Sequence, residues 1–172
     1  MMRNQAKASE GVAEKLKECR FFLGKIERVC HHNGSEDDAF LCYVSAFLSA
    51  FQTAINRALD IVEITGGPTT KDRLSAQLRA SNDIAFLRAT RNLEVHGDGP
   101  KIYNIDVWVR ATSGRFQSRS DRESRRVLSH ISSWQFEAHP KNLIRLYDDS
   151  LEELESILTK FLPVRTASLQ LE

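Results

Sequence analysis

The chain has 172 residues, 41% of them hydrophobic and 27% charged, with a formal net charge of +1 at pH 7. That length suits one domain with a proper buried core, and the composition excludes a disordered chain or a fibrous repeat. With so little net charge, no global field draws the protein to nucleic acid or membrane, so any polyanion site has to come from local clustering.

The first helix is expected over about residues 9–31, where Val12, Leu16, Cys19, Phe22, Leu23, Ile26 and Val29 recur at spacings of three and four. Asn33-Gly34 stops it. Ser35 then stands before Glu36-Asp37-Asp38, a cap followed by acids in a first turn. The second helix is expected from about 36 to 64, ending at Gly66-Gly67-Pro68 and forming an antiparallel hairpin with the first. It holds the longest charge-free run, AFLCYVSAFLSAFQTAI, from Ala39 to Ile55. A bilayer span needs roughly 20 apolar residues, and this run is shorter and carries Ser45, Ser49, Gln52 and Thr53. It reads as a helix buried in a core or against a second subunit, and no membrane association is expected.

A third helical stretch is expected from near Thr70 to about Val95, unbroken or interrupted around Ser81-Asn82. Leu74, Leu78, Ile84, Leu87 and Leu93 form its apolar side, and Gly97, Asp98, Gly99 and Pro100 end it. Residues 101–137 differ in character. KIYNIDVWVRA sets Ile105, Val107 and Val109 on alternate positions and predicts a strand, with SSWQFEA near 132–138 as a second. Ser113-Gly114 suits a hairpin turn, and the polar, Arg-rich RFQSRSDRESRRVLSH between them reads as a loop or short helix. The last helix follows Pro140, with Leu143, Leu146, Tyr147, Leu151, Leu154, Ile157, Leu158 and Phe161 as its stripe and Pro163 as its end. The expected fold is all-α: a single helical domain with its core over about 9–162, built as a four- to five-helix up-down bundle with a small irregular or β-hairpin insertion at 101–137.

The three cysteines, Cys19, Cys30 and Cys42, contain no CxxC pair and suggest neither a disulfide framework nor zinc. The opening MMRNQAKASEGVAEKLKE lacks the apolar segment of a signal peptide. Both features point to a reducing cytoplasm.

The chemistry-bearing stretch is RNLEVHGDG, residues 91–99. Arg91 offers a planar fork of donors matched to phosphate oxygens, and His96 is the side-chain type that takes and gives protons near neutrality. Asn92 can orient the ring or the phosphate through its amide. On a regular helix Arg91 and His96 are rotated by about 140°, whereas Asn92 and His96 share a face. The three converge only if the helix unwinds at its glycine-rich end or a second copy supplies the complement. The same residues also fit plainer duties. Arg91 could pair with Glu94 or Asp98, Asn92 could cap the helix end, and His96 could favour its C-terminus through the dipole.

Arg91-Asn92-Leu93-Glu94-Val95-His96 resembles the signature of the HEPN (higher eukaryotes and prokaryotes nucleotide-binding) domains. These are helical bundles carrying an Arg, four to six residues, then a His, often with a polar residue after the Arg. The resemblance implies a metal-independent endoribonuclease, usually a homodimer that sets two motifs side by side, acting as a toxin or defence factor with an antitoxin or regulator as partner. It implies that the ribose 2′-hydroxyl attacks the neighbouring phosphate, leaving a cyclic phosphate and a free 5′-hydroxyl. His96 would be the acid or base, Arg91 would hold the phosphate, Asn92 would support the geometry, and no cofactor or metal would take part. Some relatives carry a Tyr two residues beyond the His as a modification target, and Asp98 stands there in this chain. Other members of the family are catalytically silent modules that bind a nucleotide, RNA or a partner protein.

A second feature is the arginine run Arg110, Arg115, Arg119, Arg122, Arg125 and Arg126, which with Asp121 and Glu123 leaves a local charge of +4. Such a patch would attract RNA, and Trp108 and Phe116 could stack on unpaired bases. It could equally be a solvated face meeting the acids of the last helix, Asp148, Asp149, Glu152, Glu153 and Glu155. His31-His32 with Asp37 and Asp38 reads as a connecting turn rather than a metal site, and His139-Pro140 reads as a helix start.

Overall fold

A computed structural model gives the backbone of residues 2–31, 37–96, 102–110, 128–136, 139 and 141–162, and the side chains of 9–29, 39–92, 139 and 141–162. The elements are helix α1 (Met2–His31), helix α2 (Asp37–Ala80), helix α3 (Asn82–His96), strands β1 (Ile102–Arg110) and β2 (Leu128–Phe136), and helix α4 (Leu143–Phe161). The fold is an all-α bundle with a β-hairpin inserted before the last helix. Two compact units result: α1, α2, α3 and α4 from Ile144 onward make one, and the hairpin segment up to Leu143 makes the other.

The apolar spacing of the sequence explains the helical unit. On α1, Val12, Cys19, Leu23 and Ile26 are buried, while Leu16, Phe22 and Val29 are partly buried at its rim. On α2, Phe40, Val44, Phe47, Leu48, Phe51, Ala54 and Ile55 are each at most 1% exposed, so the charge-free run forms interior. By length and hydropathy alone α2 is apolar enough to cross a membrane. The Arg57 guanidinium donates to the Gly11 carbonyl at 2.9 Å. These residues lie equally far from the α1–α2 connection on either side, the pairing an antiparallel hairpin requires. Helix α4 adds Leu146, Tyr147, Leu151, Leu154 and Leu158, all buried. The Tyr147 ring lies on Phe47 with centroids 4.0 Å apart and planes 2° from parallel, fastening α4 to the middle of α2. Such an aromatic pair contributes about 0.5–1.5 kcal/mol beyond its area burial.

Gly66-Gly67-Pro68 bends the second helix instead of ending it. Helix continues to Ala80, with Gly67 as its one non-helical residue, at φ 76° and ψ 178°. Pro68 fits because the segment restarting there leaves its first N–H groups without intrahelical acceptors, so a residue lacking N–H loses nothing. Thr70 reinforces the bend by donating its hydroxyl to the Gly66 carbonyl at 2.7 Å. The true break comes at Ser81, where α2 gives way to α3. Ser81 is a side-chain N-cap: its Oγ accepts from the Ile84 amide at 3.3 Å, and its carbonyl accepts from the Ala85 amide at 3.0 Å. The same hydroxyl donates to Glu153 of α4 at 2.6 Å, so the cap is tied to the far end of the sequence.

In the hairpin unit, β1 and β2 pair antiparallel with Ile102 opposite Phe136, Val107 opposite Ile131 and Arg110 opposite Leu128. The second strand starts at Leu128, four residues before the expected SSWQFEA, so Leu128, Ser129, His130 and Ile131 extend the ladder. Leu128-Ser129-His130, at the edge of an arginine-rich stretch, reads as loop in sequence, and pairing with Arg110, Val109 and Trp108 overrides that local bias. Asn33-Gly34, the Ser35 cap, the Ser113-Gly114 turn and Pro163 lie outside the described residues.

Two glycines separate backbone strain from packing. Neither Gly67 nor Gly24 has an atom within 4 Å of where a Cβ would stand, but only Gly67 has positive φ. Gly67→Ala is expected to lower unfolding stability by about 1–3 kcal/mol. Gly24→Ala, inside α1, is expected to raise it by about 0.5–1 kcal/mol. Urea denaturation followed by circular dichroism measures both, and opposite signs are the expected outcome.

Candidate functional site

Helix α3 carries the Arg-Asn-x3-His stretch, and its rotation follows from which residues it buries. Ile84 and Leu87 are fully buried and Thr90 is 4% exposed, so these three define the inward side. Arg91 lies at the margin of that side, partly buried, and Asn92 one position on is exposed. The backbone stays helical through His96. Residues 93–96 are described in backbone only. Asn92 is therefore four residues inside the helix and does not cap its end.

Helical continuity bears on one of the two ways the motif could converge, unwinding of the helix end. The helix does not unwind between Arg91 and His96, so on one chain the two positions stay about 140° apart around the axis. Asn92 and His96 lie one turn apart on a common face. Arg91 has interactions of its own with the surrounding protein.

Two more arginines belong to this neighbourhood, and neither stood out in the sequence. Arg88 is one turn before Asn92 and three residues before Arg91, partly buried, and Arg79 is exposed in the last turn of α2. Burial, and then the like charge of Arg79, hold the Arg88 guanidinium below its ordinary pKa. The legible signal was the helix neighbourhood of Arg88: positions three and four away are Ile84, Ala85, Arg91 and Asn92, with no carboxylate among them.

Of the arginine run, Arg110 closes β1 opposite Leu128, and its side chain lies outside the described residues with Arg115, Arg119, Arg122, Arg125 and Arg126. Three of the five α4 acids weighed as its counter-charges have partners within the bundle. Glu155 accepts from Arg20 at 2.6 Å, Glu153 accepts from Ser81, and Asp149 lies 3.8 Å from Arg145. The Glu155 hydrogen bond raises the Arg20 pKa. His139 takes part in a local turn, its Nδ1 accepting from the Lys141 amide at 3.3 Å. The His31-His32 turn lies outside the described side chains. Among the described residues no group of three or more His, Cys, Asp or Glu side chains is arranged to hold a metal.

Cys19 offers no activated nucleophile. Burial, with Glu18 adding to it, pushes the Cys19 thiol up to about 12, whereas Cys42 is exposed. Only the thiolate reacts. In mildly alkaline buffer, iodoacetamide is expected to modify Cys42 in the folded protein and Cys19 only after unfolding. Peptide mass spectrometry reads the two sites separately, and labelling of Cys19 at the rate of Cys42 would contradict the burial. No family model matches the chain, and no curated protein or solved structure matches it either.

Proposed function

We propose that the protein is a metal-independent endoribonuclease of HEPN type that works as a homodimer. The observation that carries this reading is Arg91-Asn92-x3-His96 on an unbroken helix of an all-α bundle, where the resemblance expects such a motif. The chemistry suits the residues. The 2′-hydroxyl attacks the adjacent phosphorus, and its proton leaves to a base as the bond to the 5′-oxygen breaks. That oxygen takes a proton, so the products are a 2′,3′-cyclic phosphate and a 5′-hydroxyl. An imidazole such as that of His96 can act as the acid or the base. The Arg91 guanidinium offsets charge gathering on the non-bridging oxygens. Asn92 orients the phosphate or the ring by its amide. RNA is the substrate, and the six arginines from Arg110 to Arg126 supply general attraction to its backbone.

The helical separation of Arg91 and His96 supports a site completed across two copies, with Arg91 from one and His96 from the other. A mixing experiment tests this directly. Wild-type protein incubated with end-labelled RNA in excess EDTA is expected to leave cyclic phosphate ends. His96→Ala and Arg91→Ala are each expected to lose about 10²–10⁴ of that rate while remaining folded. Mixed as random two-fold dimers, the two inactive variants are expected to recover about a quarter of wild-type activity, because half the dimers carry one intact composite site. No recovery on mixing would remove the shared site. Cleavage by His96→Ala at the wild-type rate, or abolition by EDTA, would remove the enzyme reading, and binding of RNA without cleavage would leave a catalytically silent module.

A further inference from the structure

Only Ser81 stands between the last residue of α2 and the first of α3, so the direction in which the motif helix sets off is decided at a single residue. Three hydrogen bonds hold that residue. Its carbonyl accepts from the Ala85 amide at 3.0 Å, its Oγ accepts from the Ile84 amide at 3.3 Å, and its hydroxyl donates to Glu153 of α4 at 2.6 Å. The first two lie within α3 and its cap and would travel with the helix. Of the three, the bond to Glu153 is the one that joins the start of α3 to another helix.

Burial of Ile84 and Leu87 settles which side of α3 faces inward. It constrains tilt less, because apolar contact is non-directional and a helix can rock on it at little cost. A hydrogen bond to a carboxylate is directional and weakens steeply as its angle closes. The lever it controls is long. At about 1.5 Å per residue, Arg91 stands about 15 Å and His96 about 22 Å along the axis from Ser81. A tilt of about 4° at the junction therefore displaces them by about 1 Å and about 1.5 Å. For a reaction that depends on alignment, misplacement by about 1 Å costs about 10² in rate.

We infer that Ser81 and Glu153 are positioning residues for the motif: their hydrogen bond fixes the tilt of α3 and with it the placement of Arg91, Asn92 and His96. The assignment rests on the ribonuclease reading for what is being positioned, while the hold of Glu153 on α3 is measurable without RNA. Both residues act through α3, with no contact to the reacting phosphate required. The Arg20–Glu155 pair is the internal control, since it also fastens α4 at 2.6 Å, but to α1.

The test uses the full chain and end-labelled RNA in excess EDTA. Glu153→Ala is expected to lower kcat about 10- to 100-fold and to leave KM within about threefold. Because Glu153 is exposed, its melting temperature is expected to move by less than about 4 °C. Glu153→Gln keeps an acceptor oxygen for the Ser81 hydroxyl and is expected to restore most of kcat. Glu155→Ala is expected to leave kcat unchanged. Ser81→Ala loses the cap together with the bond, and adding Glu153→Ala to it is expected to cost nothing more. Without RNA, amide exchange followed by NMR is expected to quicken about tenfold at Ile84 and Ala85 in Glu153→Ala and to stay unchanged at Leu23 of α1. Unchanged exchange at Ile84 and Ala85 would overturn the assignment, and so would faster exchange with kcat unaltered. Equal losses in Glu153→Ala and Glu155→Ala, no rescue by Glu153→Gln, or additive losses in the double variant would each do the same. A larger fall in melting temperature would make Glu153 a support of the whole bundle and defeat the positioning role. If the wild-type protein leaves RNA uncut, the ribonuclease reading falls by itself, and exchange alone then decides whether Glu153 holds α3.

Discussion

One hydroxyl organises the region on which function is proposed. The Ser81 Oγ accepts the Ile84 amide and donates to Glu153, closing α2, opening α3 and linking both to α4. A helix N-terminus leaves its first amides without intrahelical acceptors, and a side-chain cap with a charged partner is the local means of meeting one of them. Ser81 is 7% exposed, so the carboxylate hydrogen bond acts with little competition from water. Once α3 starts at Asn82, burial of Ile84 and Leu87 fixes its rotation. The positions of Arg88, Arg91 and Asn92 then follow from 3.6 residues per turn.

The same constraint shapes the charge distribution. Acids on α4 are spent inside the bundle, on Arg20 from α1, on Arg145 and on the Ser81 cap. Exposed ion pairs of this sort add little stability individually. Net charge describes the sum, and the fold determines where the remainder appears.

Helical continuity through His96 bears on the proposed chemistry as well. A side chain on a regular helix is held more firmly than one on a loop, which favours a reaction that depends on geometry. The cost is angular, since five residues of helix turn Arg91 and His96 apart. In the proposed homodimer, a two-fold arrangement would let each copy supply the group the other cannot bring round. The long apolar α2 is accounted for inside the bundle by α1 and by the Phe47–Tyr147 stack, so it is not needed as the dimer face.

Element type was legible wherever periodicity was strong. The α1 stripe, the buried Ala39–Ile55 run, the alternating Ile105, Val107 and Val109 and the α4 stripe all carry their structure in their spacing, because burial selects apolar residues at the repeat of the element. The motif of α3 was legible too, as residue types. Local signals failed where a distant partner decides the outcome. Gly66-Gly67-Pro68 has the composition of a stop, yet packing carries the helix past it, with Gly67 alone absorbing the bend. Leu128 and Ser129 belong to a strand because β1 pairs with them. Ser81 caps α3 while its hydroxyl donates to Glu153, which lies 72 residues away in sequence. The sequence by itself determined which segments are helix or strand and which residue types the motif offers, since both depend on neighbours within a few positions. The tertiary structure alone decided where α3 begins and which way its arginines face, because those depend on the Glu153 tie to the Ser81 cap and on which α3 side chains the bundle buries.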